Sequence, residues 1–242
     1  MELSLFWSIG LTLFVSTIVV RVAGFGGSLT SMPLLVPLVG LPVAAPIMTL
    51  FGITNFGIVI WQQWRDVTLR DIWRLAIASI IMTPFGIYLI YIVSESTMKL
   101  SLGLICITFA LYRLSKRPFP RLTHPNWAWL FGIIAGLASG AFSVGGVPSV
   151  IYANTQDWEP EPFRLNMFSF FLTTGVFSLI SRYFLGQLTG EVIQHWFFAL
   201  PFLFAGLFVG THIAKRVNRQ QFQRLVLVML IILGGRLVLS AL

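Results

Sequence analysis

Eight stretches of this sequence stay apolar for about the thickness of a bilayer, and no other feature restricts the fold as strongly. They are Leu3–Val20, Ala44–Trp61, Ile72–Val93, Thr97–Tyr112, Trp127–Phe142, Leu165–Leu185, Val192–Ala214 and Phe222–Leu239. Roughly 20 apolar residues in a helix cross the hydrocarbon core, and only helices and closed barrels satisfy their backbone there. Two shorter apolar stretches, Ser28–Val39 and Val147–Asn154, cannot span by themselves. Charged residues make up only 10% of the chain and mean hydropathy is +0.87. A soluble domain carries about 25% charge, so this chain could not cover its surface in water. An all-α polytopic membrane protein is expected, and 242 residues leave no room for a sizeable soluble domain. Met1–Val20 lacks the basic start and the cleavage site of a signal peptide and is expected to remain as the first membrane helix.

The order of segments repeats: long, short, long, long, long, and then the same again. Gly26-Gly27 and Gly145-Gly146 occupy corresponding places, Thr68 pairs with Thr189 and Gly86 with Gly210, and Ser94–Leu111 aligns with Asn218–Gly235 without a gap. Two repeats of about five segments are expected, as in many transporters. Residues 1–114 form the first, 115–126 a basic linker and 127–242 the second.

Loop charge gives the orientation. Arg65, Arg70 and Arg74 mark one loop, Arg113, Lys116, Arg117 and Arg121 the linker, and Lys215, Arg216, Arg219 and Arg224 a third. Basic loops stay cytoplasmic. If each short segment returns the chain to its side of entry, each half makes five passes. The second half then enters inverted, and both termini lie outside the cytoplasm.

The two glycine turns carry the chemistry. Gly24-Phe25-Gly26-Gly27-Ser28 and Ser143-Val144-Gly145-Gly146-Val147-Pro148 each close a long segment and open a short one. Glycine permits positive φ and close backbone approach. Ser28 is suited to an N-cap and Pro148 to a first helical turn. A helix start inside the membrane exposes unpaired N–H groups and about half a positive charge. Two such starts brought together would bind an anion. The alternative is that the glycines only let helices pack closely; two turns at matching positions favour the anion site.

On these turns, Gly24–Pro33 and Gly140–Pro148, and on the duplicated layout, the whole chain resembles the TauE/SafE family of sulfite and sulfonate exporters, the TSUP proteins. Ser28 and Val147 stand where the family usually has a third glycine. The resemblance implies export of small sulfur-containing anions such as sulfite, thiosulfate or sulfoacetate across the plasma membrane.

The expected anion site comprises Gly26, Gly27, Ser28, Gly145, Gly146 and Val147, with Arg21 as an intramembrane counter-charge. Thr54, Asn55, Asn166, Ser169 and Thr173, on the helices after each short segment, could donate to an oxyanion. Each could equally be an interhelical hydrogen-bond partner, and Arg21 could snorkel to the interface. His195 and His212 lie near segment ends, and the run Asp157–Arg164 is expected as a loop in which Trp158 and Arg164 could gate substrate. All eight carboxylates fall in loops or at segment ends, so no acid relay is expected and the membrane potential would suffice. An anion leaving a negative interior gains about 2.3 kcal/mol per charge per 100 mV, roughly a forty- to fifty-fold gradient.

Other function classes fit less well. The net charge of +8 is concentrated in short loops and offers no fold-sized surface for nucleic acid. Cys106 is the sole cysteine, which excludes a disulfide framework, and no metal or cofactor is expected. No His-Glu-x-x-His motif is present, and Ser139 in Gly-Leu-Ala-Ser-Gly has its glycine one place too early for an intramembrane protease. A passive anion channel is the main alternative to a carrier, with an intramembrane enzyme behind it. The expected partners are a small anion and the bilayer, and the sequence leaves a homodimer open.

Overall fold

The structure is a computed structural model that describes residues 3–24, 26–62, 72–115, 121–122, 124–156, 158 and 160–241. Phe25, Trp64, Arg65, Asp66, Thr68, Arg70, Asp71, Lys116, Arg117, Asp157 and Glu159, on which some sequence expectations fall, lie outside these. The described residues form α1 (Leu3–Ala23), α2 (Gly27–Val39), α3 (Leu41–Gln62), α4 (Trp73–Ile92), α5 (Glu95–Leu114), α6 (Asn126–Phe142), α7 (Gly146–Ala153), α8 (Pro160–Phe184), α9 (Gly190–Arg216) and α10 (Arg219–Ala241). Seven of these are long and apolar enough to cross a membrane. The exceptions are the two short helices expected after the glycine turns and α6, whose 17 residues fall just below a full span.

Two local expectations need correction. Ser28 is not the N-cap of α2. Gly26 caps it in the left-handed conformation, with φ of 91°, and the helix begins at Gly27. A left-handed position at the turn favours glycine over any residue with a Cβ, so the cap moves two residues earlier than side-chain preference suggests. Residues 160–164, expected as part of a loop, form the first turn of α8. Pro160 opens that helix, where its missing N–H costs nothing and its fixed φ is already helical.

By compactness the chain divides into two units. The first comprises Met1–Met48, Ile90–Arg117 and Thr189–Leu242, and the second Thr49–Leu89 and Pro118–Leu188. Each draws helices from both halves of the sequence.

Glycine governs the packing inside each unit. In the first, α1 and α9 run in the same direction. A Cβ on Gly206 would meet Phe14 O and Thr17 Cβ, and one on Gly210 would meet Ile18 Cα and Arg21 Cβ. Helices α5 and α10 meet at Gly103 and Gly234, each facing the other's carbonyl oxygen. In the second, α6 lays Gly132, Gly136 and Gly140 against the carbonyls of Leu75, Ser79 and Thr83 on α4, one contact per turn. Gly86 of α4 in turn faces the Leu137 backbone of α6. In hydrocarbon there is little hydrophobic drive between helices, so close backbone approach through small residues holds them together. Gly86 and Gly210, paired by sequence position, act alike. Each closes the fourth helix of one sequence half onto the first helix of the other half.

Candidate functional site

The turn of the first unit is built by backbone. Gly24 and Gly26 have φ of 87° and 91°, and Gly24 N–H donates to Val20 O at 2.8 Å. The chain then folds back so tightly that a Cβ on Gly27 would lie 2.6 Å from Val20 Cγ2 and 2.9 Å from Ser16 Oγ. Helix α2 starts without a side-chain cap. Thr30 Oγ1 donates back to Gly26 O and Gly27 O, at 3.1 and 2.9 Å. The buried hydroxyls of Ser16 and Ser31 have no hydrogen-bond partner among the described residues. Arg21 lies in the last turn of α1, half-buried, with its stem against Gly210. Ser28 is half-buried in the first turn of α2.

The turn of the second unit is held by side chains. Ser143, with φ of 53°, ends α6 in the left-handed conformation, and its N–H donates to Ser139 O at 2.9 Å. Gly145 caps α7 in right-handed conformation, again without a side-chain bond. Around this turn lies Arg182 of α8, fully buried. Its Nε donates to Thr49 Oγ1 at 3.1 Å, one terminal nitrogen to Gln187 Oε1, and the other to Gly140 O at 2.7 Å. Ser139 O and Ser143 Oγ lie 3.4 Å from the same nitrogen, and Thr49 also bonds Ser143 at 3.1 Å. The guanidinium therefore takes up the Gly140 carbonyl in the last turn of α6, and its positive charge opposes the negative end of that helix.

Arg182 is marked along the chain only as an ionisable residue inside the apolar run Leu165–Leu185. In a membrane helix that alone marks a residue with a structural or functional task. Its partners, 39 to 133 positions distant along the chain apart from Gln187, could not be read from the sequence.

The remaining candidates of this unit lie on α3 and α8. These helices run antiparallel and cross where Gly57 meets Leu172 and Gly175 meets Ile53, which brackets Asn55 on one side and Thr173 on the other. Asn55 is 1% exposed, and neither its amide nitrogen nor its oxygen has a partner among the described residues. Leaving such an amide unpaired in an apolar interior costs about 1–3 kcal/mol. Thr54 and Ser169 spend their hydroxyls on Leu50 O and Leu165 O, at 2.9 and 2.8 Å. Those two are thereby less available to a ligand than Asn55. Asn166 is buried and Thr173 half-buried.

The α7 start adjoins this crossing. A Cβ on Gly146 would sit 3.4 Å from Phe171 Cζ, and Phe171 packs on Phe56 with ring centroids 5.2 Å apart. Phe56 also packs on Phe168 at 5.2 Å. The edge of the Phe171 ring, which carries the positive part of its quadrupole, thus points at the helix start. Val147 is buried beside it, and its N–H makes only a long 3.4 Å bond to Val144 O.

His195 is buried rather than exposed at its helix end, with Nδ1 against Glu191 O at 2.7 Å, while His212 is exposed and packs on Phe208. Trp61, Trp73 and Trp127 are exposed near helix ends, where aromatic residues meet the interface.

The chain is similar to the probable sulfite/organosulfonate exporter TauE of Cupriavidus necator, with 23% identity over 226 residues, covering 91% of this chain and 88% of that protein. No solved structure matches it. A family profile, Sulfite exporter TauE/SafE, matches residues 9–237. With long apolar helices, two glycine turns and a match over nearly the whole length, the chain belongs to the TauE/SafE family and is a multi-pass membrane transporter, not an enzyme.

Proposed function

We propose that this protein exports small sulfur-containing anions, namely sulfite, thiosulfate or an organosulfonate such as sulfoacetate, across the plasma membrane by alternating access. The family and the name of the Cupriavidus relative support the substrate class. Asn55 is the observation that carries the site: a buried amide with donor and acceptor both unspent, next in sequence to Phe56, whose ring packs on the Phe171 that meets the start of α7. An oxyanion would accept from that amide and from the N–H groups of Gly146 and Val147, against the positive end of α7. The glycine turn at Gly26, Gly27 and Ser28, with Arg21 nearby, is assigned the same chemistry in the first unit. The two turns are taken as equivalent parts of an inverted repeat, and both termini are assigned to the non-cytoplasmic side.

Export is assigned to the membrane potential. Glu95 and Glu191, the acidic residues whose side chains are described, lie in the first turns of α5 and α9, and Glu95 pairs with Lys99 at 2.7 Å. Neither sits at mid-helix, where an intramembrane proton relay would need one.

Counterflow in proteoliposomes tests the proposal. Vesicles loaded with sulfite are offered labelled sulfite, thiosulfate or sulfoacetate, and saturable exchange with at least one is expected. Current far above carrier turnover without counterflow would make the protein a channel. If folded, inserted protein exchanges none of the panel, the substrate assignment is wrong. Loss of efflux when the pH gradient alone is collapsed, at fixed potential, would overturn the potential-driven mechanism.

A further inference from the structure

Helices α4 and α6 run parallel and begin at one level, where Trp73 and Trp129 meet edge to face with ring centroids 5.9 Å apart. Beside this contact sits Arg74, half-buried in the first turn of α4. Its guanidinium carbon lies 5.0 Å from the centroid of the Trp73 ring. Its charge is felt at Tyr152 of α7, which packs on Phe131 of α6. Among the described residues the guanidinium has no hydrogen bond and no ion pair, so its N–H donors are unspent.

Helix stability does not account for this arginine. A cation in the first turn meets the positive end of its own helix, and α6 turns the same end toward it. Side chains on a helix lean toward its N-terminus. The guanidinium is therefore aimed out of the hydrocarbon, at the level where Trp73 and Trp127 are exposed. Deeper along both helices the outward side chains are apolar: Ile77 and Ile81 of α4, Leu130 and Ile134 of α6. A soluble oxyanion would use the guanidinium and leave these rows untouched. A phospholipid uses both, with its phosphate on the guanidinium, its ester region beside the tryptophan rings and its acyl chains along the apolar rows.

We propose that the starts of α4 and α6 form a binding site for an anionic phospholipid, with Arg74 holding the headgroup phosphate. The orientation expected from loop charge puts both starts at the cytoplasmic leaflet, where anionic lipid is concentrated. All the residues involved belong to the second unit, and the site rests on neither the glycine turns nor the transport assignment.

Native mass spectrometry of the full chain in mild detergent tests the proposal. The protein is titrated with dioleoyl phosphatidylglycerol or dioleoyl phosphatidylcholine, and the affinity of the first lipid bound is read. Phosphatidylglycerol is expected to bind about fivefold more tightly, the worth of one basic side chain near the membrane surface. Arg74→Gln should erase that preference. Arg236→Gln, which removes an exposed arginine of α10, should keep it. Trp73→Ala should weaken both lipids alike. Free glycerol phosphate in large excess should displace neither. Hydrogen exchange adds a measurement that needs no variant: phosphatidylglycerol, and not phosphatidylcholine, should protect the first-turn amides of α4 and leave the start of α9 unchanged.

Equal affinity for the two lipids would overturn the site. A preference that survives in folded Arg74→Gln protein, or that Arg236→Gln loses to the same degree, would overturn it as well. Displacement by glycerol phosphate would make this a site for soluble oxyanions and end the lipid assignment. Should Arg74→Gln protein not fold, the exchange experiment decides alone: protection absent from α4, or equal with both lipids, rejects the proposal.

Discussion

The two glycine turns sit at matching sequence positions yet are built by opposite means. The turn before α2 reverses through its own backbone, with positive φ at Gly24 and Gly26 and no room for a side chain on Gly27. The turn before α7 relies on outside support. Ser143 takes the left-handed position, and Arg182 ties the end of α6 to Thr49 and Gln187. Its second glycine, Gly146, is correspondingly less crowded, with only the Phe171 ring edge close by. A turn closed by its own backbone is rigid and full. A turn clamped from a distance keeps space at its helix start, and so α7 is the better placed of the two starts to approach a ligand.

The contrast can be broken at the clamp first. Arg182→Met should strand the carbonyl of Gly140 and the side-chain oxygen of Gln187. At about 1–3 kcal/mol for each stranded buried group, thermal unfolding in detergent should show a loss of several kcal/mol. A melting temperature within a degree of wild type would mean that the clamp does not hold the turn.

A matched pair of alanines comes next. Gly27→Ala forces a methyl into Val20 and Ser16, an overpacking that costs about 1–3 kcal/mol. Gly146→Ala places its methyl at ordinary contact distance from Phe171 and should unfold within about 0.5 kcal/mol of wild type, while raising the half-saturation for anion by crowding the α7 start. Equal destabilisation by the two would erase the distinction between the turns.

Gly26→Ala should cost about 1–2 kcal/mol through its positive φ alone, read from the same unfolding curves. The corresponding Gly145→Ala starts from a right-handed backbone and has no such strain; any destabilisation there must come from contact with Ala135 O and Ser139 Cβ. The smallest stability change is expected at Asn55. Asn55→Leu removes an unpaired buried amide, so unfolding should be unchanged or raised by about 1 kcal/mol, and the half-saturation for sulfite should rise several-fold. Unchanged transport would remove Asn55 from the site.

Much of the fold was legible in advance because lipid leaves few choices. Runs of apolar residues set the long helices to within a few positions, and Gly-Gly steps marked both short ones. Legibility ended where the deciding partner lay far along the chain. The spacing of Gly132, Gly136 and Gly140 signals a close-packed helix face, but nothing in it says that α4 fills that face. Arg182 was visible as a charge in an apolar run, whereas Thr49 and Gly140 as its acceptors were not. The cap at Gly26 was missed because side-chain preference pointed to Ser28, whereas backbone handedness decided the position. Candidate residues fared unevenly for a related reason. Thr54 and Ser169 satisfy themselves one turn back on their own helices, as hydroxyls in membranes often do, and Asn55 has no such local outlet.

The pairing of α1 with α9 also bears on how the protein is made. Every helix of the second unit has left the ribosome once α8 is complete, so that unit can assemble while synthesis continues. The first helix of the chain must wait for a partner that begins at Gly190. At bacterial and eukaryotic elongation rates of about 5–20 residues per second, that is a delay of roughly 10 to 40 seconds spent in lipid without its glycine-lined neighbour. Biogenesis of this transporter therefore has a built-in order. Chains cut short before α9 would carry a finished second unit and an N-terminal helix still lacking its α9 partner, the state a membrane quality-control protease would meet.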